Sequence, residues 1–136
     1  MTTDRPVAGI LDASVFIADK NGRQLETSLI PEQLATTVVT LAERNAGVLA
    51  ARTSEIRARR LRTLDAVADM TAFPVDEEAA RLWALLRVHV AEAGRRVRIN
   101  DLWIAAIAAA RQLPVVTQDE DFDVLEGVAG LTIVHV

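Results

Sequence analysis

The sequence of 136 residues contains no cysteine and no tyrosine, and its only histidines are His89 and His135. The absence of cysteine excludes disulfides, thiolate metal sites and cysteine nucleophiles. His135 is the penultimate residue of an apolar run, which is weak support for a catalytic histidine. The chemistry of this chain must therefore come mainly from carboxylates, hydroxyls and basic groups.

Long apolar runs are also absent, because no stretch approaches the roughly 18 residues that cross a bilayer. The first apolar stretch, residues 7–12, is too short for the apolar region of a signal peptide. Apolar residues still make up 51% of the chain, which is enough for a real core and too much for a disordered protein. We therefore expect one cytoplasmic domain over residues 1–136, without membrane association.

Lysine occurs once, as Lys20, and the other fourteen of the 15 basic residues are arginines in a chain of net charge −4. The arginines are concentrated in residues 44–62 and again at Arg95, Arg96 and Arg98. A guanidinium binds phosphate through two parallel hydrogen bonds, so this bias suits a polyphosphate partner. A GC-rich genome that favours arginine codons explains the bias equally well.

Short apolar strands alternate with helices along the chain. The pattern predicts strands at residues 7–11, 33–36, 71–75, 114–117 and 131–136. It predicts helices at residues 12–19, 37–50, 53–69, 76–94 and 101–112, with Asn100 as the cap of the last one. This alternation indicates an α/β fold with three α/β/α layers and a mainly parallel central sheet of about five strands.

Four acidic residues occupy positions that this fold would bring together. Asp12 follows the first strand, Asp119 follows the fourth, Glu43 lies in the helix after the second strand, and Asp101 lies in the first turn of a helix. Functional crevices in parallel sheets lie beyond the carboxyl ends of the strands, so Asp12 and Asp119 would meet if strands one and four are neighbours. Each acid taken singly also has a structural explanation as a helix cap, a turn residue or a surface ion-pair partner.

Clustered carboxylates repel one another, and a hard divalent cation with oxygen ligands removes that repulsion. Such ions activate water and stabilise the leaving oxygen when a phosphodiester is hydrolysed. Acids without cysteine or a clear catalytic histidine, in an arginine-rich chain, therefore favour metal-dependent hydrolysis of nucleic acid.

Four segments in chain order carry a family resemblance: residues 10–18 (ILDASVFIA), 38–43 (VVTLAE), 100–106 (NDLWIAA) and 116–122 (VTQDEDF). Together they resemble the acidic motifs of PIN-domain ribonucleases, and more narrowly those of the VapC toxins of VapBC toxin–antitoxin pairs. Their order and spacing cover nearly the whole chain, so residues 1–136 would form a single PIN domain. One departure is that Arg44 follows Glu43, where family members often carry an apolar residue.

The resemblance implies an acidic quartet that performs catalysis and holds Mg²⁺ or Mn²⁺, formed by Asp12, Glu43, Asp101 and Asp119. It implies supporting roles for Asp121, as a further acid, and for Ser14 and Thr117, as hydroxyls that orient a carboxylate or a water. It also implies RNA cleavage, growth inhibition, homodimerisation and a cognate VapB-type antitoxin. We hypothesise that the helix at 53–69, whose apolar face includes Arg57 and Arg60, forms part of a groove for that antitoxin.

Three other functions compete with this interpretation. A phosphatase of the haloacid-dehalogenase type needs a second Asp two residues after Asp12, where this chain has Ser14. A response-regulator receiver needs a lysine after a late strand, and Lys20 does not meet that need. A non-catalytic PIN-like module that binds RNA or acts as a scaffold stays open, and independence of divalent ions would distinguish it.

Overall fold

The computed structural model describes residues 5–136, with the side chains of all but residues 19 and 20. Residues 1–4 of the expected domain lie outside the described residues. Within 5–136 the strands are β1 (Ala8–Leu11), β2 (Gln33–Thr37), β3 (Thr71–Phe73), β4 (Val115–Thr117) and β5 (Ile133–His135). The α-helices of the same range are α1 (Ala13–Lys20), α2 (Val38–Leu49), α3 (Ser54–Ala68), α4 (Glu77–Glu92) and α5 (Ile99–Ala110).

The five strands form one sheet in the order β3-β2-β1-β4-β5, and every neighbouring pair is parallel. The chain builds outward from β1 through β2 to β3, and then crosses back to place β4 on the free side of β1. This reversal makes the boundary between β1 and β4 the topological switch point of the sheet. The predicted α/β fold is confirmed, and the sheet is entirely parallel.

Alternate residues of a strand point to opposite faces of the sheet. Both sets are apolar here, and helices pack on both faces. Ile10 and Val115 join a cluster with residues of α4 and α5, such as Leu86 and Ile104. Their neighbours in sequence, Leu11 and Val116, belong to a second cluster that includes Val15 of α1. The three layers predicted from the sequence are therefore present.

One local expectation was wrong. Asn100 does not cap α5, because that helix already begins at Ile99, and Leu102 N donates to the carbonyl oxygen of Arg98 at 3.0 Å. In α3, the apolar Leu61 is 41% exposed, and the buried residues of that helix are Thr63 and Val67. The face of α3 that packs on α2 is therefore determined by contact between the two helices and not by apolar periodicity alone, and it is partly polar.

The helices within residues 5–136 do not include one that combines the length and the apolar character required to cross a membrane.

Gly9 lies in β1 where a side chain has no room. A Cβ atom at this position would lie 2.8 Å from Val116 Cγ2 and 3.2 Å from Pro31 Cγ. We expect Gly9→Ala to lower the free energy of unfolding by about 1–3 kcal/mol through overpacking, as measured by urea denaturation. The matched control is Gly47→Ala in α2, where the nearest atom, Arg60 Cδ, is 3.9 Å away and the substitution should be neutral or stabilising. Equal losses in both variants would contradict this explanation.

Candidate active site

The carboxyl ends of β1 and β4 place two of the predicted acids at the switch point. Asp12 directly follows β1, and its backbone N–H donates to the carbonyl oxygen of Val116 in β4 at 2.8 Å. Asp119 follows β4 with one residue between. β1 and β4 are neighbouring strands, which was the condition under which Asp12 and Asp119 were expected to lie close together.

Thr117 connects the two acids through its hydroxyl, which is fully buried. Thr117 Oγ1 donates to Asp12 Oδ2 at 2.9 Å and accepts from the backbone N–H of Asp119 at 2.9 Å. Because its single hydroxyl hydrogen is used on Asp12, the contact of 3.1 Å between Ser14 Oγ and Thr117 Oγ1 requires Ser14 to donate. Ser14 Oγ in turn accepts from the backbone N–H of Gln118 at 3.0 Å. The structure thus brings Ser14 and Thr117 together beside Asp12, where they fix the position of its carboxylate.

Asp119 is also a helix cap. Its Oδ1 accepts from the backbone N–H of Asp121 at 2.9 Å, and this bond starts a short 3₁₀ helix, Glu120–Leu125. One carboxylate oxygen of Asp119 is therefore committed to local structure. Asp121 contacts Asp119 through this backbone bond, but its own side chain is exposed and is not among the charges that act on Asp101.

Asp101 is the acid most strongly affected by its surroundings. It lies in the first turn of α5 and is only 9% exposed. Burial, followed by the negative charges of Asp12, Asp119 and Glu43, raises the pKa of Asp101 to about 7. Asp12, Asp119 and Glu43 therefore all lie close enough to Asp101 for their charges to act on it.

Glu43 reaches this cluster from α2. Its side chain is half-buried and lines an open cavity of about 610 Å³ together with Arg44 and Asn100. Glu43 is the member of the acid set that lines this cavity, and its carboxylate is accessible to solvent there.

Arg98 is a member of the site that the sequence motifs did not indicate. Its positive charge opposes the other influences and lowers the pKa of Asp101. It precedes Asp101 by three residues at the start of α5, and this spacing was a signal that could have identified it.

The oxygen donors of this cluster fit Mg²⁺ or Mn²⁺, because hard cations prefer carboxylates and one buried acid here resists ionisation without a compensating charge. Burial and three neighbouring carboxylates raise the pKa of Asp101, and a bound cation would lower it. Within residues 5–136, no three acidic or imidazole side chains stand in an arrangement that could hold an ion. Ligation by more than two of them would therefore involve side-chain rotation.

We expect Thr117→Val to lower the activity of the acid site about tenfold and the stability by about 1–2 kcal/mol, because Asp12 loses a donor and the N–H of Asp119 loses an acceptor. Thr117→Ser keeps the hydroxyl and should restore most of the activity. The matched control is Thr36→Val on β2, since the Thr36 hydroxyl is buried without a hydrogen-bond partner among the described residues. That control should be neutral or stabilising in urea denaturation, and a loss as large as that of Thr117→Val would refute the assigned role.

A family model for the PIN domain matches residues 9–128. The chain belongs to the PIN domain family. Within it, this PIN domain is 65% identical over 131 residues to ribonuclease VapC5 of Mycobacterium tuberculosis, which covers 96% of this chain and 97% of that protein. It is 37% identical over 124 residues to ribonuclease VapC4 of the same organism, across 91% of this chain and 95% of that protein.

Solved structures agree with this membership. The crystal structure of VapBC-5 from Mycobacterium tuberculosis, a member of the VapBC family of toxin–antitoxin systems, contains a chain that matches this PIN domain with a TM-score of 0.88. The two chains are 63% identical, and the match covers 96% of this chain and 100% of that chain. A chain of VapBC2 from Rickettsia felis, bound to a promoter DNA fragment, shares the fold at 17% identity, with a TM-score of 0.74 over 95% of this chain and 98% of that chain.

Proposed function

We propose that this PIN domain is the toxin of a toxin–antitoxin pair, and that it hydrolyses RNA phosphodiester bonds at a four-carboxylate site which uses Mg²⁺ or Mn²⁺. The observation that carries the proposal is that Asp12 and Asp119 follow the neighbouring strands β1 and β4 at the switch point of the sheet. The raised pKa of the buried Asp101, to which Asp12, Asp119 and Glu43 contribute, supports a shared site for the four carboxylates. The similarity to ribonuclease VapC5 over almost the whole chain supports RNA as the substrate.

The residues that would hold the cation are Asp12, Glu43, Asp101 and Asp119. A bound divalent ion supplies positive charge for activating water and for stabilising the leaving oxygen of the cut strand. Thr117 and Ser14 keep the Asp12 carboxylate turned toward the site through the two hydroxyl contacts. Burial and the neighbouring carboxylates raise the pKa of Asp101 to about 7, and a cation held by these residues would favour its ionised form. Asp121 supports the cluster from its exposed edge.

We also propose a cognate VapB-type antitoxin as partner, a homodimer as the working form, a single domain over residues 1–136, and action in the cytoplasm. The support for the partner is the match to a chain of a VapBC toxin–antitoxin structure at 63% identity. Growth arrest by free toxin would follow from cleavage of cellular RNA.

Expression of the wild-type chain beside Asp12→Asn in a bacterial host tests the proposal. We expect growth arrest and a discrete set of new 5′-phosphate ends in total RNA with the wild type, and neither with the variant. This design presents every cellular RNA at once, so a wrongly chosen substrate does not hide the activity. Identical growth and identical ends in both strains, at equal amounts of folded protein, would reject the nuclease and favour a non-catalytic RNA-binding module.

A further inference from the structure

Four arginines surround the connection between α4 and α5. Arg87 lies on α4, whereas Arg95, Arg96 and Arg98 follow the end of that helix. All four are exposed, and in the part of the chain that the structure describes none of them forms an ion pair with an acid. Arg98 is near enough to Asp101 for its charge to act on that carboxyl, whereas Arg87, Arg95 and Arg96 have no acid at ion-pair distance among the described residues. Neighbouring positive charges repel one another, and an anionic ligand would remove that repulsion.

The end of α4 fixes where two of these arginines lie. Gly94 adopts a left-handed φ of 66°, its N–H donates to the carbonyl oxygen of Ala91, and the N–H of Arg95 donates to that of Val90. These two bonds form a Schellman turn, which reverses the chain at the C-terminus of a helix. The turn brings Arg95 and Arg96 back toward Arg87, although seven residues of sequence separate Arg87 from Gly94.

Arg87, Arg95 and Arg96 line one cavity of about 340 Å³, which we call the arginine cavity. Apolar side chains also line it, among them the buried Val90 and Leu102. Arginine stems pack on apolar surface and leave their guanidinium groups free to bind anions at the rim.

The arginine cavity adjoins the acidic site through the first turn of α5. Leu102 lines the cavity, and the preceding residue, Asp101, belongs to the acid cluster. Arg98 connects the two places, since it lies close enough to Asp101 for its charge to act on that carboxyl. The first turn of α5 therefore contributes a residue to the acid cluster and another to the lining of the arginine cavity.

We propose that the arginine cavity binds the phosphate backbone of single-stranded RNA on one side of the bond that the acids cut. This inference rests on the proposed function and adds a substrate-binding site to it. An acidic peptide is the other anion of suitable chemistry, but its carboxylates would be repelled by the four carboxylates of the acid cluster. A phosphodiester chain is the ligand that the neighbouring acid site, with its cation, would itself bind.

RNA binding is measured with a fluorescent oligouridylate in millimolar Mg²⁺, using the Asp12→Asn chain so that the probe is not cut. We expect Arg95→Gln combined with Arg96→Gln to weaken binding about tenfold and to make the log–log salt slope shallower by about 1.4, since each phosphate contact contributes about 0.7 on single strands. The matched control is Arg52→Gln combined with Arg62→Gln, which removes the same charge from exposed positions around α3. Circular dichroism verifies that both double variants fold.

Equal weakening by both double variants would show that only net charge matters and would overturn the proposal, as would no weakening by either. A fluorescent polyglutamate that binds through Arg95 and Arg96, while RNA binding is unaffected by their replacement, would make the cavity a protein-docking site and also overturn the proposal.

Failure of the proposed nuclease activity can be distinguished from failure of the proposed binding site. If the wild-type chain cuts no RNA but the arginine-dependent binding is found, the cavity stands without the nuclease. If the chain cuts RNA with the same KM after both arginines are replaced, the nuclease stands without the cavity.

Discussion

The Asp101→Asn variant is expected to lose RNA cleavage by about 100-fold or more and, in the same preparation, to gain stability. The loss follows because the variant removes one negative charge from the cluster proposed to hold the cation. The gain follows because the wild-type protein must keep a carboxylate buried beside three others at alkaline pH. A residue retained at a cost to stability is the expected signature of a functional site.

The pH dependence has a definite sign. The pKa of Asp101 rises from 3.8 to about 7 on folding, so between these values the folded chain holds a proton that the unfolded chain has lost. Stability of the metal-free wild type should therefore fall as pH rises through this window. The amide that replaces this carboxyl in Asp101→Asn does not ionise, and the variant should be more stable at pH 8 by about 1–2 kcal/mol, once screening by water is included.

Urea denaturation in the presence of a chelator, at pH 4 and at pH 8, measures this difference. The control is Asp65→Asn, which removes an exposed carboxylate from α3 and should leave the pH dependence of the wild type intact. If Asp101→Asn and the wild type lose stability in parallel between the two pH values, Asp101 is not the group responsible.

Mg²⁺ or Mn²⁺ is expected to stabilise the wild-type chain strongly at pH 8 and weakly at pH 5.5. Cation binding requires Asp101 to release its proton, so the apparent Kd should rise about tenfold for each pH unit below about 7, or about thirtyfold at pH 5.5. At pH 8, an ion concentration a hundred times the Kd would add about 2.7 kcal/mol to the free energy of unfolding.

Thermal unfolding with and without the cation, at both pH values, tests this coupling. Asp101→Asn serves as the control, because any residual stabilisation in that variant should not depend on this proton. Equal stabilisation of the wild type at pH 8 and pH 5.5 would contradict the coupling. No stabilisation at either pH would instead support the non-catalytic module.

The fold could be predicted because local and tertiary signals agree along most of this sequence. Short apolar segments mark the strands, and strong caps such as Thr37, Thr53 and Asp76 mark the helices that follow. Asp12 and Asp119 were recognisable because a parallel sheet brings the carboxyl ends of its strands to one edge. Asp12 and Asp119 come close together because β4 pairs with β1 in the sheet.

Other features depend on contacts that no local pattern encodes. The contact between Ser14 and Thr117 joins residues 103 positions apart, and only the family resemblance pointed to these hydroxyls. The high pKa of Asp101 arises from burial and from three charges on other elements. The arginine cavity combines Arg87 with residues beyond the turn at Gly94, so the sequence displayed only the group that starts at Arg95.

The position of β1 in the middle of the sheet sets the time at which this protein can become active during its synthesis. Asp12 bonds to Val116 across more than 100 residues of intervening chain, and the acid cluster is incomplete until Asp119 has been made. At translation rates of about 5–20 residues per second, roughly 5–20 s pass between synthesis of the first acid and the last. Under the proposed function, a growing chain would be unable to cut RNA during that interval, including RNA in the ribosome that makes it.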